Sequence, residues 1–251
     1  MKINVTGNEE LPKIVCIHPL LGSSGGVLDI LKNLKGEYCI IAPDMSAHGA
    51  DTKDFISAKE EAETLANYLI DKGFTSIALT VGFSMGSLVV LNTLTDNRLD
   101  FGRVVPEGAP LYQYGAFMRK LVTFGYKLAR KNAAAKPDEY IKDAEDHFGS
   151  EFAERYGEFT RKKFAEMSDT SIENAALTCS YFDFPPFSEE LQKKIVFRYG
   201  SLEDNRKTGE KNIAKHYPKA ETVITDRYRH CEYPFKNPEA YTKMLEELMT
   251  K

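Results

Sequence analysis

The chain has 251 residues, 42% of them apolar and 28% charged, with 33 Lys and Arg against 37 Asp and Glu for a formal charge of −4. That composition excludes a disordered, collagenous or coiled-coil chain and supplies no basic footprint for a phosphate backbone, so no nucleic acid partner is expected. Cys16, Cys39, Cys179 and Cys231 are scattered, with no zinc-ligating pair and no disulfide framework. The first ten residues lack an apolar signal core and no stretch is long and apolar enough for a membrane span, so a cytoplasmic globular protein with reduced thiols is expected.

Short apolar runs at residues 13–17, 38–42, 76–81 and 103–105 read as buried strands, and they alternate with helical spacing over 27–34, 58–72 and 84–94. This is the pattern of βα units feeding a parallel sheet, an α/β class. From 111 to 187 the rhythm breaks. Helical stretches follow one another with no strand between them, and 15 of the chain's 28 Phe and Tyr fall in this segment, which marks it as an insertion. Pro137 reads as a helix start, and Phe152, Tyr156 and Phe159 share one face of a helix expected over 150–164. The alternation resumes with a strand at 195–199, a helix at 207–216, a strand at 221–225 and a closing helix at 238–249.

The residues with most chemical content are Gly82-Phe-Ser-Met-Gly86, placed between a strand and a helix. A serine on a tight turn needs small neighbours two positions away on either side, and Ser84 would then project from the C-terminal edge of the sheet. Its hydroxyl is a poor nucleophile without a base. Of the five histidines, His230 follows the strand at 221–225 and so reaches the same edge, whereas His147 and His216 sit in helical stretches and read as packing or surface residues. Asp44 and His48 could form half of a metal site, but a structural loop is the better reading of a lone pair. An acid must hold the imidazole, and the loop after 195–199 offers both Glu203 and Asp204.

The order Ser84, acid, His230 resembles that of the α/β-hydrolase superfamily. His18-Pro-Leu-Leu-Gly-Ser23 is similar to its H-G-x-x-G segment, with Pro19 in place of the second glycine, and Ala42-Pro-Asp-Met-Ser-Ala-His-Gly49 is similar to its A-P-D-x-x-G-H-G turn, with Ala47 in place of glycine. The resemblance implies an α/β-hydrolase fold, a mostly parallel sheet flanked by helices, with a core of 1–110 and 188–251 and a helical cap at 111–187. It further implies Ser84 as nucleophile, His230 as base, Glu203 or Asp204 as acid, and the backbone N–H groups of Leu20 and Met85 as an oxyanion hole. His18, Tyr112, Tyr114 and Phe117 are the candidate substrate-binding residues. The expected reaction is hydrolysis of a small-molecule carboxylic ester or thioester with an apolar portion, with no cofactor and no metal. A ligand-binding protein on the same capped fold, or a C–C hydrolase, lyase or perhydrolase using the same three residues, is the alternative, and the oligomeric state is left open.

Overall fold

Hydrophobic runs too short for helices and bounded by turn residues pair side by side in the computed structural model, which describes residues 1–204 and 206–250. The strands are β1 (Lys2–Thr6), β2 (Lys13–Ile17), β3 (Cys39–Asp44), β4 (Ser76–Phe83), β5 (Asp100–Glu107), β6 (Val196–Gly200) and β7 (Glu221–Thr225). They form one sheet in the order β1-β3-β2-β4-β5-β6-β7, with β1 antiparallel to β3 and the other pairs parallel. β1 is absent from the sequence expectation. Only one of its neighbours is a strand, its residues are half-buried or exposed, and Lys2-Ile-Asn-Val-Thr6 therefore lacks the continuous apolar run that marks a central strand.

Between the strands run α1 (Ser24–Leu31), α2 (Ala58–Asp71), α3 (Met85–Thr93), α4 (Ala116–Ala135), α5 (Pro137–Phe148), α6 (Ser150–Phe152), α7 (Glu158–Glu166), α8 (Asp169–Ser180), α9 (Glu189–Lys193), α10 (Arg206–His216), α11 (Glu232–Lys236) and α12 (Pro238–Met249). A π-helical turn, Ala153–Gly157, joins α6 to α7. Helices α4 to α8 all lie in the chain between β5 and β6. None of the helices among the described residues is long and apolar enough to cross a membrane.

Alternation along the strands divides the core in two, because successive side chains of a strand point to opposite faces. Val15 and Ile17 of β2 pack with Leu65 and Leu69 of α2 and Leu88 of α3, while Ile14 and Cys16 pack with Val27 and Leu31 of α1 and Tyr241 and Leu245 of α12. The sheet is covered on both faces, as a parallel sheet must be. The chain lays β3 on one side of β2 and then returns to lay β4 on the other, so loops leaving the C-terminal ends of β2 and β4 diverge and open a crevice between them.

The turn after β3 is pinned from inside. Asp44 is buried and accepts hydrogen bonds from Ser24 N at 2.6 Å and Ala50 N at 3.0 Å. Burial works to raise the pKa of its carboxyl, and the hydrogen bonds from Ser24 and Ala50 more than offset this, leaving it below the ordinary carboxylate value. Asp44→Ala would leave the buried Ser24 N–H without its partner and free the Ala50 end of the turn. We expect a loss of about 2–3 kcal/mol in unfolding free energy, read from the denaturant midpoint, and an unchanged midpoint would show that the turn closes without the carboxylate.

Candidate active site

Ser84 ends β4 and begins α3 with φ 49° and ψ −117°, a region costly for any residue with a Cβ. Its N–H donates to Glu107 O at 2.8 Å, which ties the turn to the neighbouring strand β5. The flanking glycines are required by contact. A Cβ on Gly82 would lie 2.7 Å from Gly86 O, and one on Gly86 would lie 2.5 Å from His18 O and 2.6 Å from Ile17 O. The turn can therefore press against the end of β2 only without side chains at 82 and 86.

His230 arrives on the loop between β7 and α11, and its Nε2 lies 2.8 Å from Ser84 Oγ. Its Nδ1 lies 2.7 Å from Glu203 Oε2, and the other Glu203 oxygen accepts from Gly200 N at 2.7 Å. A carboxylate at Nδ1 requires that nitrogen to carry the proton, which leaves Nε2 free to accept the serine hydroxyl. Of the two adjacent acids, the structure brings Glu203 to the imidazole and leaves Asp204 exposed. Desolvation opposes a charge on His230, while Cys231 and the Glu203 carboxylate favour it, and the balance lies well above the ordinary histidine value. Burial raises the Cys231 thiol and keeps it neutral, so the carboxylate is the partner that matters near neutral pH.

Beneath this chain lies a buried ion pair, Glu107 to Arg198, at 3.3 Å. Burial pushes the Glu107 carboxyl up to about 7 against the pull of Arg198. The Glu107 backbone meanwhile holds Ser84 through its carbonyl, so the strand that carries the pair also sets the height of the serine.

His18 does not line the cavity that opens on Ser84. It is fully buried, its Nε2 accepts from Met45 N at 3.0 Å, and its Nδ1 therefore carries the proton and donates to Pro19 O at 2.7 Å. It latches the loop after β2 to the turn after β3. His48 is buried beside it, with its ring nitrogen 2.8 Å from Ser46 O, and burial drives its pKa down to about 3. Among the described residues no group of three His, Cys, Asp or Glu is placed to hold a metal ion.

A cavity of about 290 Å³ opens on Ser84 and His230. Leu20 and its neighbours Pro19 and Leu21 form one wall, and Met85 stands at the first position of α3, where its N–H has no partner within the helix. Six aromatic side chains add to the wall: Tyr126 from α4, Tyr140 and Phe148 from α5, Phe152, Tyr156, and Phe235 from α11. Tyr112, Tyr114 and Phe117 do not line it. Residues 112–114 run alongside 180–182, with Phe182 N donating to Tyr112 O at 2.7 Å and Tyr114 N to Ser180 O at 3.1 Å. The two tyrosine rings stack on each other at 5.0 Å, and Phe117 is 75% exposed on the outer side of α4. This stretch is a neck joining the two ends of the insertion, and its hydrogen bonds fix it there.

The helical face expected at Phe152, Tyr156 and Phe159 is also changed. Cavity-lining positions run Phe148, Phe152, Tyr156, Thr160, in steps of four, and Phe159 is 40% exposed. The π turn at Ala153–Gly157 takes more residues per turn than an α-helix, so the inward face moves from 159 to 160. His147, read from the sequence as a packing or surface residue, lies with its Nε2 2.7 Å from His230 O, and Arg229 donates to Asp146 O at 2.8 Å. Two hydrogen bonds thus join the end of α5 to the loop that carries His230.

No protein-family model matches the chain, and no curated protein matches it in sequence. Solved structures do. An α/β hydrolase family protein from Desulfitobacterium hafniense shares 16% identity with a TM-score of 0.75 over 99% of this chain and 100% of its own. A carboxylesterase structure from Nitrososphaera gargenis shares 16% identity, with a TM-score of 0.72 over 99% and 93%, and a bromoperoxidase from Bacillus anthracis shares 14%, with a TM-score of 0.76 over 99% and 95%. Sheet order, helical layers and near-complete overlap together give this chain the α/β-hydrolase fold.

Proposed function

We propose that the chain is a serine hydrolase acting on a carboxylic ester or thioester through an acyl-enzyme on Ser84. The observation that carries this reading is the unbroken hydrogen-bonded series Ser84, His230, Glu203 opening into an apolar cavity. His230 takes the Ser84 proton as the hydroxyl oxygen attacks the acyl carbonyl, and the N–H groups of Leu20 and Met85 receive the negative oxygen of the tetrahedral intermediate. His230 returns the proton to the departing alcohol or thiol. Water then enters, loses a proton to His230, and the second tetrahedral intermediate collapses to free acid and serine. Glu203 holds the tautomer throughout, while Asp204 takes no part. The segment 111–187 acts as the cap. Its aromatics roof the serine, and the cavity of about 290 Å³ suits a short acyl chain or a single ring rather than a long chain.

Ser84→Ala should lower turnover of p-nitrophenyl acetate by roughly 10⁴–10⁶-fold and abolish labelling by a fluorophosphonate probe. Residual turnover near that of the parent in a homogeneous sample would remove Ser84 from the reaction.

The acid assignment has its own signature. Catalysis needs neutral His230, so the acid limb of the pH–rate profile follows the loss of the His230 proton. Glu203→Gln removes the carboxylate that favours the charged ring, so kcat should fall about 10³–10⁴-fold while the limb moves to lower pH. Asp204→Asn should leave kcat within about twofold and the limb in place. The reverse pattern would make Asp204 the acid.

Among p-nitrophenyl esters, acetate to butyrate should be preferred over laurate. Phe152 packs against Phe148 and Phe235 at ring separations of 4.8 and 5.1 Å, so Phe152→Ala should open that wall and shift kcat/KM toward longer chains, with little change for acetate. No shift in the series would mean that the acyl group lies elsewhere.

A further inference from the structure

Helix α4 has two apolar faces. The inner one sets Tyr126 into the cavity wall and buries Ala133. The outer one presents Phe117, Leu121, Phe124 and Leu128, spaced by four, three and four residues, all between 47% and 75% exposed. Those four side chains form a single stripe about 17 Å long, from eleven residues at the helical rise. On the adjacent α8, Leu177 is 43% exposed, and Tyr181, just after it, 42%. An amphipathic helix needs one apolar face to pack on its core, and the second has no use within this chain.

The charge around the stripe selects what covers it. Residues 116–135 contain Arg119, Lys120, Lys127, Arg130 and Lys131 and no acidic residue, in a chain whose formal charge is −4. Lys127 and Arg130 pair with Glu173 and Asp169 of α8, and Arg119 lies over the Tyr181 ring. Lys120 and Lys131 are exposed and have no acidic partner among the described residues. At 100° per residue, Lys120, Lys127 and Lys131 fall within a narrow arc along one edge of the Phe117–Leu128 stripe. A second copy of the chain would bring the same lysines to the same face, and the acids next to it, Glu173 and Asp169, are already engaged. An apolar stripe with a row of lysines at its edge fits an anionic lipid surface, where the rings enter the acyl boundary and the ammonium groups reach the headgroups.

We propose that the outer face of α4 docks the protein on anionic bilayers, as a peripheral contact with α4 lying in the plane of the membrane. The site adjoins the cavity through the same helix, and small apolar esters of the kind that cavity fits concentrate in bilayers. Docking is nevertheless independent of the hydrolase reading, because none of the outer side chains lines the cavity.

The test is sedimentation of the full chain with vesicles of phosphatidylcholine and phosphatidylglycerol in equal parts, at low and at physiological salt. The protein should pellet with these vesicles, less so as salt rises, and remain in solution with pure phosphatidylcholine. Lys120→Gln with Lys131→Gln should weaken binding roughly thirtyfold, and Leu121→Ser with Phe124→Ser should abolish it. All four residues are exposed, so the thermal melt and turnover of p-nitrophenyl acetate should match the parent. Ser84→Ala should bind vesicles as the parent does, so failure of the catalytic assignment leaves this result readable. The proposal is overturned if the parent does not pellet at low salt, or if the Leu121/Phe124 variant still does. A dimer in solution that the same variant dissociates would overturn it too, giving the face to a second copy.

Discussion

A serine backbone held at φ 49°, ψ −117° costs of the order of 1–3 kcal/mol, and most of the surrounding architecture can be understood as what keeps it there. The β4–α3 connection has no room for a gradual turn, since β4 continues through Phe83 and α3 begins at Met85. Extended strand and helix meet at one residue. The strain is held by the Ser84 N–H bond to β5, by the absence of side chains at Gly82 and Gly86, and by α3, which is buried at eight of its nine positions. Relaxing the serine would therefore require moving a helix set into the larger core cluster. That is why the strain persists, and why the hydroxyl projects into the crevice instead of folding back on its own helix.

The partners of the serine reach it through the order of strands. β6 and β7 follow β5 outward across the sheet, so the loops after β6 and β7 leave the same edge as the turn after β4. Residues 203 and 230 are far from 84 in sequence and are delivered to within one hydrogen bond of each other by three parallel strand ends. Parallel pairing thus does for the site what a local motif could not.

Legibility in the sequence followed the locality of the physics. The turn at Ser84 was readable because its requirements, glycine at 82 and 86 and a strand before a helix, all lie within a dozen residues, and β2 to β7 were readable from equally local short runs between turn residues. Glu203 and Asp204 could not be separated by residue type, because what aims Glu203 is the Gly200 N–H, which donates to its second oxygen, a matter of turn geometry. His147 gave no signal, since its role depends on α5 ending against the loop at 229–230. The shift from Phe159 to Thr160 rests on one π turn that a fixed helical period does not anticipate. The neck at 112–114 misled in a different way. Its tyrosines follow closely after β5 and so read as cavity residues, whereas their backbone is committed to pairing with 180–182.

That pairing also bears on how the insertion behaves as a unit. Its two ends are joined at the neck, and its far side is fastened by His147 and Arg229 to the His230 loop and by Tyr156, whose hydroxyl hydrogen-bonds Asp29 of α1. A segment held at both ends cannot swing away without breaking bonds to the loop that positions the imidazole. The position of the insertion and that of the His230 loop are therefore set together, through the hydrogen bonds at His230 O and Arg229. Helix α4 is the first helix of that segment, with Tyr126 facing the cavity and Phe117, Leu121, Phe124 and Leu128 facing outward.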